Sequence, residues 1–148
     1  MNLRSTLRDR FVSLGLAICA GTVLAVAAWL TPSPLGHSTH TQLGLGQCTF
    51  LTLTGYPCPM CGMTTTFSLM AHLRPVDALL NQPFGVALFA ATAGVFAVAV
   101  AEVVLPRRRW QRILDRIAPW EGTIALLFLI GMGSGWMYKI AVMRRLLS

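Results

Sequence analysis

The stretch FVSLGLAICAGTVLAVAAWL, Phe11 to Leu30, decides the fold: twenty residues without one charged side chain. At about 1.5 Å per residue, a helix of that length covers roughly the 30 Å hydrocarbon core of a bilayer. Backbone amides and carbonyls in lipid must bond within their own segment, so the run is read as a transmembrane helix. Arg4, Arg8 and Arg10 precede it. A cleaved secretory signal is the rival reading, but the apolar core of such signals is usually only about 7–15 residues, so the anchor is preferred.

Phe84 to Leu105 is a second span with one acid, Glu102, and Pro106 followed by Arg107, Arg108 and Arg109 closes it. A third runs from Gly122 to Tyr138, short enough that a flanking side chain such as Lys139 must snorkel to complete the crossing. The expected fold class is therefore an all-α integral membrane protein, with three transmembrane helices plus a short interfacial or re-entrant helical segment bearing cysteines. As one membrane domain, residues 1–148 divide into spans 11–30, 84–105 and 122–138, a Cys-rich segment 31–83, a basic loop 106–121 and a basic tail 139–148. Composition agrees: 55% of residues are hydrophobic and 11% charged. The net charge of +7 would suit nucleic acid in a soluble protein, but here the cations border apolar runs and no aromatic-interleaved basic module accompanies them. Nucleic acid is therefore not an expected partner, and the lipid bilayer is.

The N-terminal arginines and the Arg107–Arg116 loop hold eight of the twelve basic residues, which by the positive-inside rule places both in the cytoplasm. Residues 31–83 then lie on the extracytoplasmic side of an inner (plasma) membrane. Lys139, Arg144 and Arg145 fall on the side the rule disfavours; an inward C-terminus with an incompletely crossing third segment is the alternative. Trp29 and Trp136 fit the outer interface, Trp110 and Trp120 the inner one. Ala17, Gly21 and Ala25, and likewise Gly131 and Gly135, recur every four residues and allow close helix approach. Such faces serve packing within the chain, a membrane-protein partner or a homo-oligomer alike. Glu102, a turn from its helix end, is expected to snorkel or to pair with an arginine of the basic loop.

Chemistry, if any, belongs to the 53 residues from 31 to 83. TPSPLGHSTHTQ, residues 31–42, is a loop signature, Gly62–Leu73 a helix too short to span, and Pro75–Gln82 a further short helix before Pro83. Cys58-Pro-Met-Cys61 admits two geometries. In one, Cys58 caps a helix whose first residue is Pro59 and the helix-end amides lower the thiol pKa. In the other, Cys58–Gly62 is a tight turn with Gly62 at positive φ, preferred because glycine inside a helix costs about 1 kcal/mol relative to alanine. Thr64, Thr65 and Thr66 are placed to cap the following helix or to satisfy polar groups where water is scarce.

Cys48, Cys58 and Cys61 are the redox candidates and also the metal candidates; zinc or copper is the ion such a set would take. A structural zinc needs four ligands, so His37 or His40 would have to contribute; His72 lies too far along its helix from Cys61. Met60, Met63 and Met70 suit a cuprous ion, with core packing as the plainer reading. Cys19 is expected to be buried within the first span as a small apolar residue, leaving Cys48 to resolve a mixed disulfide or to bridge structurally to Cys58 or Cys61. Arg74 and Asp77 are read as a surface pair.

The order Cys48, LTG ending at Gly55, CPMCGMT from Cys58 to Thr64, a short helix ending near His72, and NQPFG from Asn81 to Gly85 resembles the bacterial membrane proteins grouped as domain of unknown function 2752. The likeness extends over roughly residues 45–105. In many members an arginine follows the motif's threonine, a place taken here by Thr65. The resemblance implies a three-helix inner-membrane protein with a cysteine-rich outer segment and no established activity. The expectation is a small membrane scaffold or assembly factor with structural cysteines, more a non-enzyme than an enzyme. The alternatives are an extracytoplasmic thiol–disulfide protein using Cys58 and Cys61, and a metal-binding membrane protein.

Overall fold

A computed structural model describes residues 3–105 and 109–147 of the chain, with side chains from Asp9 to Leu105 and from Arg109 to Arg144. Pro106, Arg107 and Arg108, and the side chains of Arg4, Arg8 and Arg145, which entered the topology reading, lie outside the described residues. The described chain is all α-helical apart from turns and two short 3-10 segments: α1 (Leu3–Trp29), α2 (Thr49–Thr54), α3 (Met63–Ala71), α4 (Pro75–Asn81), α5 (Pro83–Val104), α6 (Arg109–Ile117) and α7 (Glu121–Leu147). The 3-10 segments are Thr39–Leu43 and Ala118–Trp120. Three helical stretches are long and apolar enough to cross a membrane, Asp9–Trp29, Pro83–Val104 and Arg109–Arg144, so the protein is a multi-pass membrane protein. The last helix passes through Lys139 to Leu147 without a break.

The long helices meet where side chains are small. α1 lies along α5, and the Phe96 ring occupies the space a Cβ would need at Gly21. Phe84 does the same at Gly131 and Gly135 of α7 and stacks edge-on to Phe128 at 5.3 Å. Both small-residue faces are thus used inside the chain.

The interior is polar. Of the nine largest fully buried side chains, eight are polar or charged: Lys139, Gln82, Glu102, Thr39, Thr65, Thr66, Ser13 and Ser68; only Leu30 is apolar. This is the expected inversion for a lipid-solvated chain, in which apolar side chains gain nothing by leaving acyl tails while polar groups must find protein partners. Cys19 is accordingly a correction: it is exposed on the surface of α1 and not buried, because a small apolar group is as comfortable against lipid as against protein.

At the basic end, Glu102 is buried and pairs inward as expected. Its Oε2 accepts the backbone N–H of Arg109 at 3.0 Å and lies 3.5 Å from the guanidinium. Arg109 Nη1 also donates to the carbonyls of Ala101 (2.7 Å) and Leu105 (2.8 Å), closing α5 with a cation at its negative end.

At the other end, the segment between α1 and α5 folds into a cap. The side-chain amide of Gln42 brackets Thr31, accepting from its N–H at 3.1 Å and donating to its carbonyl at 2.7 Å, which fastens the first 3-10 turn to the end of α1. Ser68 donates a short hydrogen bond to the carbonyl of Leu30. α3 is the centre of this cap: Met63, Thr65, Thr66, Ser68 and Leu69 are all buried. It ends with Leu73 at φ 56, Leu73 N–H on Met70 O (3.1 Å) and Arg74 N–H on Leu69 O (2.9 Å), a Schellman close in which leucine occupies the usual glycine place. α4 follows at Pro75, and extended Gln82 turns the chain into α5 at Pro83.

Candidate thiol site

Cys58-Pro-Met-Cys61 is a turn, with Cys61 N–H on Cys58 O at 2.9 Å and Met63 N–H on Met60 O at 3.1 Å. Pro59 at the second turn position has the φ such turns require. Gly62 caps α3 at φ 87, a left-handed value that side-chain-bearing residues adopt only under strain. Of the two sequence-compatible geometries the chain takes the turn, and the thioredoxin-like helix start at Pro59 is absent.

Cys48 is the N-cap residue of α2, the six residues Thr49–Thr54 that lead toward the turn. Cys48, Cys58 and Cys61 line one cavity of about 250 Å³, together with Ser38, His40 and Met60. All four cysteines of the chain are free thiols, so the structural bridge from Cys48 is not made in this state. Cys48 and Cys58 influence one another's titration, and the two thiols differ in character. The backbone amide of Leu51 faces the Cys48 sulfur and lowers its pKa, with Cys58 and the amide of Phe50 adding to the effect. Burial raises that of Cys58, and Cys48 beside it raises it further. Burial pushes the Cys61 thiol up to about 11; the neighbouring Cys58 adds to this and the Lys139 ammonium opposes it.

Of the histidines, His40 lines the cavity while His37 bonds through Nδ1 to Ser38 Oγ at 2.8 Å. His72 is tied to Ser68 O at 2.8 Å on the far side of α3. Among the described residues no three of the His, Cys, Asp and Glu side chains gather closely enough to hold a metal ion. Met63 packs against Gly85 in the interior, and Met60 stays 56% exposed at the cavity mouth.

What holds the turn in place was not expected from the sequence. Lys139, expected to snorkel, is instead 2% exposed, and its ammonium donates to Gly36 O (2.8 Å) and Asn81 Oδ1 (2.6 Å). Asn81 Nδ2 in turn donates to Gly62 O (3.1 Å) and Thr66 Oγ1 (2.9 Å). The reason for the inward course is supply: two half-buried oxygens at that depth need donors, and an ammonium satisfies both while remaining solvated by them. Thr65 and Thr66 likewise bind other segments and do not cap α3; Thr65 Oγ1 meets Thr39 Oγ1 at 2.7 Å. α7 also holds the turn from outside, where Trp136 Nε1 donates to Pro57 O at 2.7 Å and Arg144 donates to the Tyr56 hydroxyl at 2.8 Å. In the sequence only a lysine beside the apolar run 122–138 pointed here, and it did not say which way the side chain turns.

Residues 48–96 match the family model described as Protein of unknown function (DUF2752), so the resemblance drawn from the cysteine motif holds over that stretch, from Cys48 through α3 and α4 into α5. No curated protein and no solved structure matches the chain.

Proposed function

We propose that the protein is a membrane-anchored thiol–disulfide exchange protein in which Cys48 is the attacking thiol and Cys58 the resolving one, displayed on the extracytoplasmic side. One observation carries the reading: two unbridged sulfurs from separate segments line the same cavity, and backbone amides favour the thiolate at Cys48. The thiolate is the nucleophile in exchange, so the sulfur of lower pKa attacks first.

The step balances as follows. Cys48 thiolate attacks one sulfur of a client disulfide, that S–S bond breaks, and the first client thiolate leaves and takes up a proton. Cys58, giving its proton to water, attacks the Cys48 sulfur of the mixed disulfide and expels the second client thiolate. Two electrons pass from the protein to the client, leaving a Cys48–Cys58 disulfide. The arginines gathered at the opposite end of the helices favour the extracytoplasmic placement, which suits a compartment where disulfides persist.

The test uses full-length protein in detergent and an aryl disulfide that releases a coloured thiolate. The wild type should release two equivalents in its fast phase, Cys58→Ala one equivalent with the second arm retained on Cys48, and Cys48→Ala should lose the fast phase about tenfold or more. Two equivalents from Cys58→Ala would assign resolution to Cys61; an unchanged fast phase in Cys48→Ala would remove the reading altogether.

A second reading, a non-enzymatic scaffold whose cysteines are structural, is favoured by Cys61. Its thiol is buried, pushed to about 11, and held in a turn clasped by Asn81 and Lys139. On that reading Cys61→Ala lowers protein abundance in the membrane while leaving the two-equivalent release intact.

A further inference from the structure

The thiol chemistry leaves the opposite end of the molecule without a role. There α6 places Arg109, Arg112 and Arg116 at intervals of three and four residues, hence on one helix face, and with Ile113 they line a cavity of about 220 Å³. Arg112 and Arg116 are exposed. Arg109 is held by the carbonyls of Ala101 and Leu105, which sets the edge of this face at the end of a membrane-crossing helix. At about 100° per residue, Trp110, Leu114 and Ile117 fall between a quarter and a half turn round from the centre of the arginine face. Leu114, Ile117 and nearby Trp120 are exposed. The acid of α6, Asp115, lies one turn on from Arg112 at the border of the arginine face, where three cations outnumber it.

We infer that the α6 arginine face, at the end of α5, is a binding site for the phosphate headgroup of an anionic phospholipid. A helix with this division lies in the membrane interface, its apolar side against acyl chains and its cations at headgroup depth. Guanidinium groups bind phosphate through paired N–H donors, and several on one face select a lipid with net negative charge over a zwitterionic one. A soluble polyanion has no reason to sit beside exposed Leu114, Ile117 and Trp120; a lipid brings the acyl chains that cover them.

The experiment is native mass spectrometry of the full-length protein released from detergent, with phosphatidylglycerol or phosphatidylcholine added. The wild type should retain phosphatidylglycerol in preference to phosphatidylcholine. Arg116→Gln should weaken phosphatidylglycerol binding about fivefold and Arg112→Gln/Arg116→Gln about 25-fold, at roughly fivefold per cation near the membrane surface. Arg74→Gln, at the other end of the molecule, should leave binding unchanged. Equal retention of the two lipids, undiminished selectivity in the double variant, or displacement by equimolar inorganic phosphate would each overturn the assignment. Thermal unfolding of each variant verifies that the fold is kept.

Discussion

α3 and the first ten residues of α7 are opposites. α3 has nine residues, five of them buried, and three of those five carry hydroxyls. Residues 121–130 of α7, which include Ile124, Leu126, Leu127, Phe128, Leu129 and Ile130, are exposed throughout. In water the second segment would collapse onto the first. In lipid the apolar helix is already solvated, and the short threonine-rich helix is what must be enclosed. Stability in this chain is therefore concentrated in a few polar clasps of the cap, and α7 is held chiefly by what its second half donates.

The sharpest way to break that contrast is Gly62→Ala. Gly62 sits at φ 87, and a Cβ there would come within 2.8 Å of Gly36 O and 3.0 Å of the Lys139 ammonium. Left-handed strain alone costs about 1–2 kcal/mol, and with the backbone clash the total should reach about 3 kcal/mol in detergent unfolding. A loss below about 1 kcal/mol would mean that the cap is soft.

Lys139→Met comes next. It leaves two half-buried oxygens without their donor, partly offset by no longer burying a charge, so a loss of about 2 kcal/mol is expected. Leu127→Ala, on the 61% exposed face of the same helix, should change protein stability by less than about 0.5 kcal/mol. Equal effects from the two would show that α7 is held by its apolar side chains after all.

Thr65→Val should cost about 1 kcal/mol by removing the partner of Thr39. A double-mutant cycle with Thr39→Val isolates the pair, and no coupling would demote the clasp to a contact.

The smallest effect is one of pH. His37 has its pKa lowered from its ordinary 6.5, first by burial, then by Lys139 and His40. The folded state thus prefers the neutral ring. Its contribution is complete above about pH 6.5 and shrinks as acid protonates the unfolded chain more readily than the folded one. His37→Gln should flatten the decline of the melting temperature between about pH 6.5 and 5. A wild-type curve with no such decline would mean the ring is freely hydrated.

Some of this was legible in advance. Long uncharged runs announce spans because no other residue pattern survives in hydrocarbon, and Gly62 after Cys61 announces a left-handed turn because few other residues tolerate one. The pairing of Glu102 with an arginine beyond its helix follows from charge and proximity in the chain. The inward course of Lys139 and the lipid-facing position of Cys19 were not legible. Both depend on which side of a helix meets protein, and hydropathy is silent on that when lipid and protein interior are equally apolar.

The amino-acid sequence by itself thus determined that the chain crosses a membrane, that its cations gather at one end, and that a cysteine turn precedes a short helix. The tertiary structure alone decided that Cys48 reaches Cys58, that Cys61 is shut in, and that Lys139 spans 103 positions of sequence to hold Gly36. The physical reason is range: solvation preference and turn strain act on a residue wherever it lies. A hydrogen bond between distant segments exists only once the helices that carry them have taken their places.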